Sequence, residues 1–389
     1  MQVPEGWQLT SLKEVCNNQL QTGPFGSQLH SHEYVDEGVP VLMPKDLIDF
    51  RANIETAAKI TEERSNSLQK HWLHQGDIVF SRRGDVARFA LIDEKTGLAI
   101  CGTGCLRARP TENYMPKYLS YFLQLHQTKK WLEQNAVGQT MPNMNTEILG
   151  ELPLKLATNL EEQTKIAEIL STWDNAITTT EQLLANSQQQ KKALMQQLLT
   201  GKKRLLDDNG QRFSGEWEAT LLKEISKIAK GKALSSRNLV EGNYPVIAGG
   251  KTSPYNHNAF THENIITVSA SGAYAGFVAY HRDKIWASDC SVISNIESSD
   301  IGFIFYWLSY NQNRIYSLQS GGAQPHVYPR DLAGLKVLHP PLKEQQKIAA
   351  VLAAADDEIR VLEQKLDHLK QEKKALMQQL LTGKRRVQT

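Results

Sequence analysis

The strongest constraint on the fold of this chain is a perfect internal repeat. The twelve residues KKALMQQLLTGK occur at 191–202 and again, without any change, at 373–384. At the same offset, the Glu-Gln pair at 162–163 aligns with the Glu-Gln pair at 344–345. A chain of 389 residues is also longer than a domain with a single compact core usually is. We therefore predict a duplicated structural unit and at least two domains.

Both copies carry the apolar spacing of long paired helices. Apolar residues recur at alternating steps of four and three, the heptad pattern of coiled coils. Both segments end in Thr-Gly followed by basic residues, and the first begins with Asn159 and Glu162 at the spacing of a capping box. We predict two helices of about 40 residues, each roughly 60 Å long. The predicted helix-pairing residues are Ile166, Leu170, Ile177, Leu184, Leu194, Leu198, Ile348, Leu352, Ile359, Leu366, Leu376 and Leu380.

Four polar residues interrupt this apolar seam: Thr180, Ser187, Lys191 and Lys373. One interpretation is that they face a protein partner. For the two lysines, an alternative is a fraying helix end whose long side chains extend into solvent. The sequence leaves both open.

The seam of each helix needs an apolar partner, and the other copy provides one with the same spacing. If the helices pair antiparallel, the globular segments that precede them lie at opposite ends of the pair, about 50 Å apart. That distance spans on the order of 14 base pairs of B-form DNA. The alternative is a dimerisation coiled coil that carries unrelated ligand-binding domains.

The segments ahead of the helices resemble each other weakly, although landmarks align. GDIVFSRRG at 76–84 aligns with NIITVSASG at 264–272, and Pro142 aligns with Pro325. Short β-rich runs alternate with Gly, Asn, Asp and Ser, which indicates mixed α/β domains. We predict an α+β fold with a pseudo-two-fold internal repeat: two mixed α/β domains separated by two long antiparallel coiled-coil helices. The predicted boundaries are 1–157 for the first domain, 158–204 for the first helical region, 205–340 for the second domain and 341–389 for the second helical region.

The net charge and the cysteine content of the chain exclude few classes of protein. The net charge is +2, which does not by itself indicate a polyanionic partner. The cysteines are too few for a disulfide framework and favour a reducing compartment; they are Cys16, Cys101, Cys105 and Cys290. Cys101 and Cys105, with His71 and His74 upstream, leave a zinc site as an alternative. Zinc sites usually take their ligands from closely spaced pairs of residues, and such a pair occurs only once here, so buried thiols are favoured.

No segment indicates a membrane protein. The longest nearly uninterrupted apolar run, Phe303 to Leu308, is far shorter than the roughly 20 residues that cross a bilayer. The N-terminal residues lack the basic and apolar blocks of a signal peptide. We therefore expect a cytoplasmic protein without a membrane partner.

The chain resembles the specificity subunit of type I restriction-modification systems over essentially its full length. The motifs that carry the resemblance are the helix openings PPLKEQQKIAAVL at 340–352 and TNLEEQTKIAEIL at 158–170, and the close QQLLTGK in both copies. The first opening lacks the Pro-Pro of the second, having Thr158 and Asn159 instead, which leaves that junction uncertain. The resemblance implies two target-recognition domains, each recognising half of a split, asymmetric sequence in double-stranded DNA.

The same resemblance implies the partners. Two modification (methyltransferase) subunits are expected to dock on the helices and domains, and restriction (translocase and nuclease) subunits to join that assembly. S-adenosylmethionine, ATP and Mg are expected on those partners, with no cofactor in this chain.

Catalytic motifs are incomplete in this chain. The only Pro-Pro, Pro340–Pro341, lacks the residues that an amino-methyltransferase tetrapeptide requires around it, and AGGKTS at 248–253 has Pro245 where a P-loop needs its first glycine. We expect a subunit that is not an enzyme on its own. A coiled-coil scaffold that binds only proteins and an enzyme with an unrecognised site are the alternatives.

Loop residues with hydrogen-bond donors or aromatic rings are the predicted DNA contacts. In the first domain they are Ser81, Arg82, Arg83 and Arg88, with Gln28, His30 and His32 as weaker candidates. In the second domain they are Ser235, Ser236, Arg237, Lys251, Tyr255, Asn256, His257 and Tyr274. The alternative for each is an ordinary solvated loop, and Arg83 with Asp85 would then be a surface ion pair of little energy.

Overall fold

The computed structural model describes residues 3–26, 28–138, 141–253 and 255–388, which form two compact units. Unit 1 comprises Met1–Thr179 with Leu366–Thr389, and unit 2 comprises Thr180–Lys365. Both boundaries fall inside long helices, Leu160–Leu198 and Leu342–Leu380. Each unit therefore contains one globular region and a part of both helices.

The two long helices confirm the heptad prediction. Every position of the predicted seam is buried or partly buried, whereas most positions between them are exposed. Gly201 and Gly383, just beyond the helix ends, have φ of 70° and 71°, a conformation that favours glycine and ends helices.

Contacts inside each unit show that the helices pair antiparallel. In unit 1, Lys373 forms an ion pair with Asp174, with 2.5 Å between Nζ and Oδ1, and Arg386, further along the chain, pairs with the earlier Glu162. Unit 2 has the equivalent ion pairs, Lys191–Asp356 and Arg204–Glu344.

The apolar seam residues show the same antiparallel order. In unit 1, Ile166 and Leu170 share a core cluster with Leu376 and Leu380; in unit 2, Leu194 and Leu198 share one with Ile348 and Leu352. The remaining seam residues, Ile177, Leu184, Ile359 and Leu366, are partly buried.

The fraying alternative for Lys191 and Lys373 is wrong, and the interpretation that they face a protein partner stays a prediction. The side chains are only 23% and 16% exposed, because each lysine pairs with an aspartate of the opposite helix. Each aspartate also accepts a hydrogen bond from a tyrosine of the globular region: Tyr306 Oη lies 2.7 Å from Asp356 and Tyr121 Oη 2.5 Å from Asp174. Thr180 and Ser187 are buried as well. The lysine–aspartate pairs and their tyrosines thus join each globular region to both helices.

The capping box predicted at the start of the first helix is wrong in part. The Asn159 side chain accepts a hydrogen bond from Glu161 N at 2.8 Å, as a capping residue does. Glu162, however, is buried and binds Arg386 instead of turning back to the cap. Its neighbour Gln163 accepts from Met115 N at 2.8 Å and so links the helix to the globular region.

The described residues of the globular region of unit 1 form a mixed α/β structure built on three sheets. The largest contains, in spatial order, Leu20–Thr22, Cys105–Ala108, Ile78–Ser81, Phe89–Leu91, Arg51–Ala52 and Leu47–Ile48. A second contains Ala58–Ile60, Val39–Leu42, Ala99–Cys101 and Trp72–Leu73, and a third pairs Trp7–Ser11 with Pro153–Ala157. The α-helices are Leu12–Val15, Glu62–Ser67, Pro116–Leu123, His126–Asn135 and Thr146–Gly150.

The globular region of unit 2 follows the same plan, with fewer strands among its described residues. A four-stranded sheet contains Ser226–Lys230, Cys290–Asn295, Ile265–Ser269 and Val278–His281. A second contains Asn256–His257, Tyr244–Ile247 and Trp286–Ala287, and a third pairs Glu218–Leu221 with Lys336–His339. The α-helices are Leu222–Ile225, Ile301–Tyr310, Gln312–Tyr316 and Pro329–Ala333. This architecture confirms the predicted fold class.

Among the described residues, no helix combines the length and apolar character needed to cross a membrane.

The four cysteines are buried free thiols, as the sequence favoured. The described residues contain no group of three or more His, Cys, Asp or Glu side chains arranged to hold a metal ion. Burial raises the pKa of Cys16, Cys101 and Cys290 to about 12, and that of Cys105 well above its usual value.

These raised pKa values predict that the native chain resists thiol alkylation. At pH 8, well below the raised pKa values, the thiols stay protonated, and the thiolate is the reactive form. We expect iodoacetamide at pH 8 to label none of the four in the folded chain and all four after unfolding in guanidinium chloride. Mass spectrometry of both samples checks this, and rapid labelling of the folded chain would contradict the burial.

Candidate nucleic-acid interface

Each globular region carries a glycine turn at the end of a central strand. The strand Ile78–Ser81 runs into Gly84, and the strand Ile265–Ser269 runs into Gly272. The two glycines have φ of 74° and 79°, and a Cβ on either would meet no atom within 4 Å. The backbone conformation, rather than lack of space, therefore requires glycine here.

A second turn is hydrogen-bonded to each glycine turn in the same way. Gly84 N donates to Pro142 O at 3.0 Å, and Gly272 N donates to Pro325 O at 3.1 Å. We call residues 82–88, together with 137–138 and 141–143, the paired turns of unit 1; residues 139–140 lie outside the described residues. Residues 270–274 and 320–326 are the paired turns of unit 2. The sequence alignment of Pro142 with Pro325 marked this second turn, but none of its residues was predicted to bind DNA.

The arginines predicted in unit 1 lie on its glycine turn. Arg83 and Arg88 are exposed, and Arg82 is partly buried with an Nε that finds no hydrogen-bond partner among the described residues. The ion pair suggested for Arg83 and Asp85 is not formed; Asp85 lies 3.4 Å from Arg88 Nε instead. Arg83 thus presents its guanidinium to solvent.

Ser81, Gln28 and His30 have different surroundings. Ser81 is fully buried, and its hydroxyl donates to Arg83 O at 2.8 Å, so it shapes the turn instead of presenting a donor at the surface. Gln28 and His30 lie on a separate exposed loop in which the rings of His30 and His32 stack at 5.5 Å. Within the described ranges, no hydrogen bond joins this loop to the paired turns.

In unit 2 the structure brings together two residues that were predicted separately. Lys251 Nζ lies 5.3 Å from the ring centroid of Tyr274, within the range of a cation–π interaction. Ser269 Oγ donates to Gly249 O at 2.6 Å, which holds the loop containing Lys251 next to the glycine turn. Both Lys251 and Tyr274 are exposed.

The remaining predicted residues of unit 2 divide into exposed and buried ones. Ser235, Ser236, Arg237, Tyr255 and Asn256 are exposed. His257 is buried: its ring lies 4.4 Å from that of Trp286, and its Nδ1 accepts from Ala259 N at 2.9 Å. His257 therefore holds the surrounding loops together.

The second turns present side chains of unlike chemistry. In unit 1, Val137 and Met141 are 63% and 64% exposed, which is unusual for apolar residues of this size. In unit 2, His326 stacks on Tyr328 at 5.9 Å, just beyond the second turn, and Arg330 lies 5.1 Å from the same tyrosine ring. The second turns of the two units thus share a backbone arrangement, but the exposed side chains on or next to them are aliphatic in unit 1 and aromatic or basic in unit 2.

Comparison with known proteins identifies relatives of the whole chain. The family model for the type I restriction modification DNA specificity domain matches residues 4–186 and 214–371. The putative type I restriction enzyme MjaX specificity subunit of Methanocaldococcus jannaschii is 28% identical over 418 residues, covering 100% of this chain and 96% of the relative. The MjaVIII specificity subunit of the same organism is 27% identical over 186 residues, covering 45% of this chain and 44% of the relative.

Solved structures share the fold. The S subunit of a type I restriction-modification system from M. genitalium superposes with a TM-score of 0.68 at 18% identity, covering 98% of both chains. The HsdS subunit from Thermoanaerobacter tengcongensis gives a TM-score of 0.51 at 18% identity, also covering 98% of both chains.

Proposed function

Because the chain belongs to the family of type I restriction modification DNA specificity domains, we propose that each globular region binds one half of a split, asymmetric DNA sequence. The observation that carries the proposal is the pair of turns common to both units with unlike side chains on them. A shared backbone frame lets both regions approach a duplex in a similar way, while different side chains select different bases.

The family match confirms the specificity function expected from the sequence and does not support a scaffold that binds only proteins. A specificity subunit supplies recognition and not catalysis. We expect it to act in a type I restriction-modification assembly located in the cytoplasm. We propose that two modification subunits dock on the chain and that restriction subunits complete the assembly, with S-adenosylmethionine, ATP and Mg bound to those partners.

The exposed cations beside the glycine turns are the proposed phosphate contacts. Among the described residues, neither Arg83 in unit 1 nor Lys251 in unit 2 has an ion-pair partner, and the Lys251 ammonium lies over the rings of Tyr274 and Phe277. Arg82 and Arg88 flank Arg83 on the glycine turn of unit 1 and extend its basic surface. In unit 2 we propose the exposed Arg237 as a further contact. Val137, Met141, Tyr274 and Tyr328 offer apolar contact to base edges such as the thymine methyl group. Ser81 and His257 are buried and form hydrogen bonds with the backbone of these loops.

Salt dependence of DNA binding tests these contacts. We expect Arg83→Gln and Lys251→Gln each to reduce the slope of log K against log salt concentration by about 0.9, because each removes one phosphate contact. Fluorescence anisotropy with the methylation-mapped target, from 50 to 300 mM salt, measures the slope. Lys13→Gln and Lys223→Gln are matched controls, since both lysines are exposed at corresponding positions of the short helices Leu12–Val15 and Leu222–Ile225 and neither is a predicted DNA contact. Unchanged slopes in both test variants would reject the assignment.

A further inference from the structure

A small polar cavity lies in unit 1 where the globular region meets both long helices. Its volume is about 170 Å³, and charged side chains make up most of its lining. Four of them are cations and three are carboxylates: Arg51, Lys95, Lys117 and Lys373, and Asp49, Asp93 and Asp174. Lys373 and Asp174 form an ion pair with each other. The pairing of the helices thus explains two of these charges and leaves five.

Lys117 is the least favourably placed of the cations. It is partly buried, and it is the second residue of the helix Pro116–Leu123, where the helix dipole disfavours a positive charge. Burial lowers the pKa of its ammonium group, and the neighbouring Arg51 guanidinium lowers that pKa further. Within the described ranges the Lys117 side chain has no ion pair or hydrogen bond, and its Nζ lies 5.6 Å from the ring centroid of Tyr121. A bound anion would offset all three costs.

The two remaining carboxylates do not neutralise the cations. Asp93 caps the short turn Glu94–Thr96, since its Oδ1 accepts from Thr96 N at 3.1 Å and from Thr96 Oγ1 at 3.0 Å. Asp49 is exposed to solvent. In the part of the chain that the structure describes, neither carboxylate forms an ion pair with a cation of the cavity. Four cations against three carboxylates leave an excess of one positive charge around the cavity.

A strained turn places Arg51 at this cavity. The two residues that join the strands Leu47–Ile48 and Arg51–Ala52 are Asp49, with φ of 48°, and Phe50, with φ of 63°. Asparagine and glycine usually occupy such positions, and a bulky residue there is strained. Leu91 N donates to Phe50 O at 3.0 Å, which holds the turn against the neighbouring strand. Strain of this kind is typical of segments that hold a ligand.

Gly302 occupies the position of unit 2 that corresponds to Lys117. Tyr121 and Tyr306 are equivalent residues, because each donates to an aspartate of a long helix, and Lys117 and Gly302 each stand four residues before them. A Cβ on Gly302 would lie 3.0 Å from the Cβ of Ala349, so a long side chain there would require the helix to shift. The cation cluster is therefore not part of the packing that both units share.

We propose that the cavity is a binding site for a phosphate group, held by Lys117, Arg51 and Lys95. A tetrahedral anion with several acceptor oxygens suits donors that surround one small space. The cavity is smaller than the roughly 300 Å³ at which ligand pockets usually begin, so it accommodates inorganic phosphate, whereas a nucleotide would place only its phosphate inside. Phosphate bound beside Tyr121 strengthens the junction between the globular region and the helices. The site is separate from the proposed DNA contacts.

Isothermal titration calorimetry of the full-length chain with inorganic phosphate tests the site. We expect one phosphate per wild-type chain, and we expect Lys117→Gln to weaken binding about tenfold or more, because a charge-assisted hydrogen bond is lost. Lys130→Gln is the matched control, since Lys130 is an exposed lysine of the next helix, His126–Asn135, and does not line the cavity. Arg83→Gln should also retain binding, which separates the cavity from the recognition surface.

Adenosine monophosphate distinguishes the two sources of a phosphate group. Tighter binding of this nucleotide than of inorganic phosphate, with the same loss in Lys117→Gln, assigns the cavity to nucleotides. Weaker binding assigns it to free phosphate. The proposal is overturned if the wild-type chain binds neither compound saturably, or if Lys117→Gln binds both with wild-type affinity.

Thermal unfolding separates a binding role of Lys117 from a structural one. In phosphate-free buffer, Lys117→Gln should unfold at the wild-type temperature or above it, since the substitution removes a partly buried charge that has no partner. Phosphate should raise the unfolding temperature of the wild-type chain and of Lys130→Gln, relative to sodium chloride of equal ionic strength, and not that of Lys117→Gln. If Lys117→Gln unfolds at a lower temperature without phosphate and responds to phosphate like the wild type, the lysine has a structural role and the proposal is wrong.

Discussion

Removing seven residues from each long helix is expected to shorten the spacer of the recognised DNA sequence by about three base pairs. Seven residues of α-helix account for about 10.5 Å at 1.5 Å per residue, and B-form DNA rises about 3.4 Å per base pair. Deleting residues 178–184 together with 363–369 keeps the heptad phase of both helices, because one whole heptad is lost from each. The deletion leaves the ion pairs Lys191–Asp356 and Lys373–Asp174 in place.

Sequencing of methylated adenines in a host that carries the variant and the modification subunit measures the spacer directly. The two half-site sequences serve as the internal control, since the globular regions are unchanged and should recognise the same bases. A matched insertion of one heptad in each helix should lengthen the spacer by about three base pairs. If both variants methylate sites with the wild-type spacer, the helices do not determine the separation of the half-sites.

The helices were predictable because their signal is local and repeated. Heptad spacing depends on residues three and four apart, so Ile166, Leu170 and their copies indicated a buried seam without knowledge of the rest of the fold. The ion pairs of Lys191 and Lys373 were missed, although a signal existed. Asp174 and Asp356 align at the offset of the repeat, and antiparallel pairing brings each to the lysine of the other copy.

The recognition surface was less predictable because burial in a sheet depends on distant segments. Ser81 directly precedes the glycine turn in the sequence, but its strand is covered on both faces: Phe80 and Val79 belong to different core clusters. Alternation of exposed and buried residues therefore fails there. His257 is buried by Trp286, far along the chain, which no local pattern indicates. The aromatic contact of Lys251 with Tyr274 is equally non-local.

Arg204→Met is expected to destabilise unit 2 by about 3 kcal/mol. Arg204 forms two parallel hydrogen bonds of 2.6 Å each with the Glu344 carboxylate, which is 0% exposed. Removing the guanidinium leaves a buried charge without its partner, which costs far more than the pair contributes over an apolar replacement. Hydrogen exchange measured by mass spectrometry checks this expectation. Amides of residues 205–340 that exchange only when the unit unfolds should exchange on the order of a hundredfold faster than in the wild-type chain.

Two further variants separate this mechanism from simple loss of contacts. Arg204→Met/Glu344→Leu removes both charges and should restore most of the lost protection, because no carboxylate remains stranded. Arg386→Met, at the equivalent position of unit 1, should cost less, since Arg386 is already 45% exposed and water can reach the Glu162 carboxylate once the arginine is gone. Equal exchange rates in Arg204→Met and wild type would show that the buried carboxylate of Glu344 is solvated in another way. Recovery in the double variant would show that the cost of Arg204→Met comes from the unpaired, buried Glu344 carboxylate and not from lost packing.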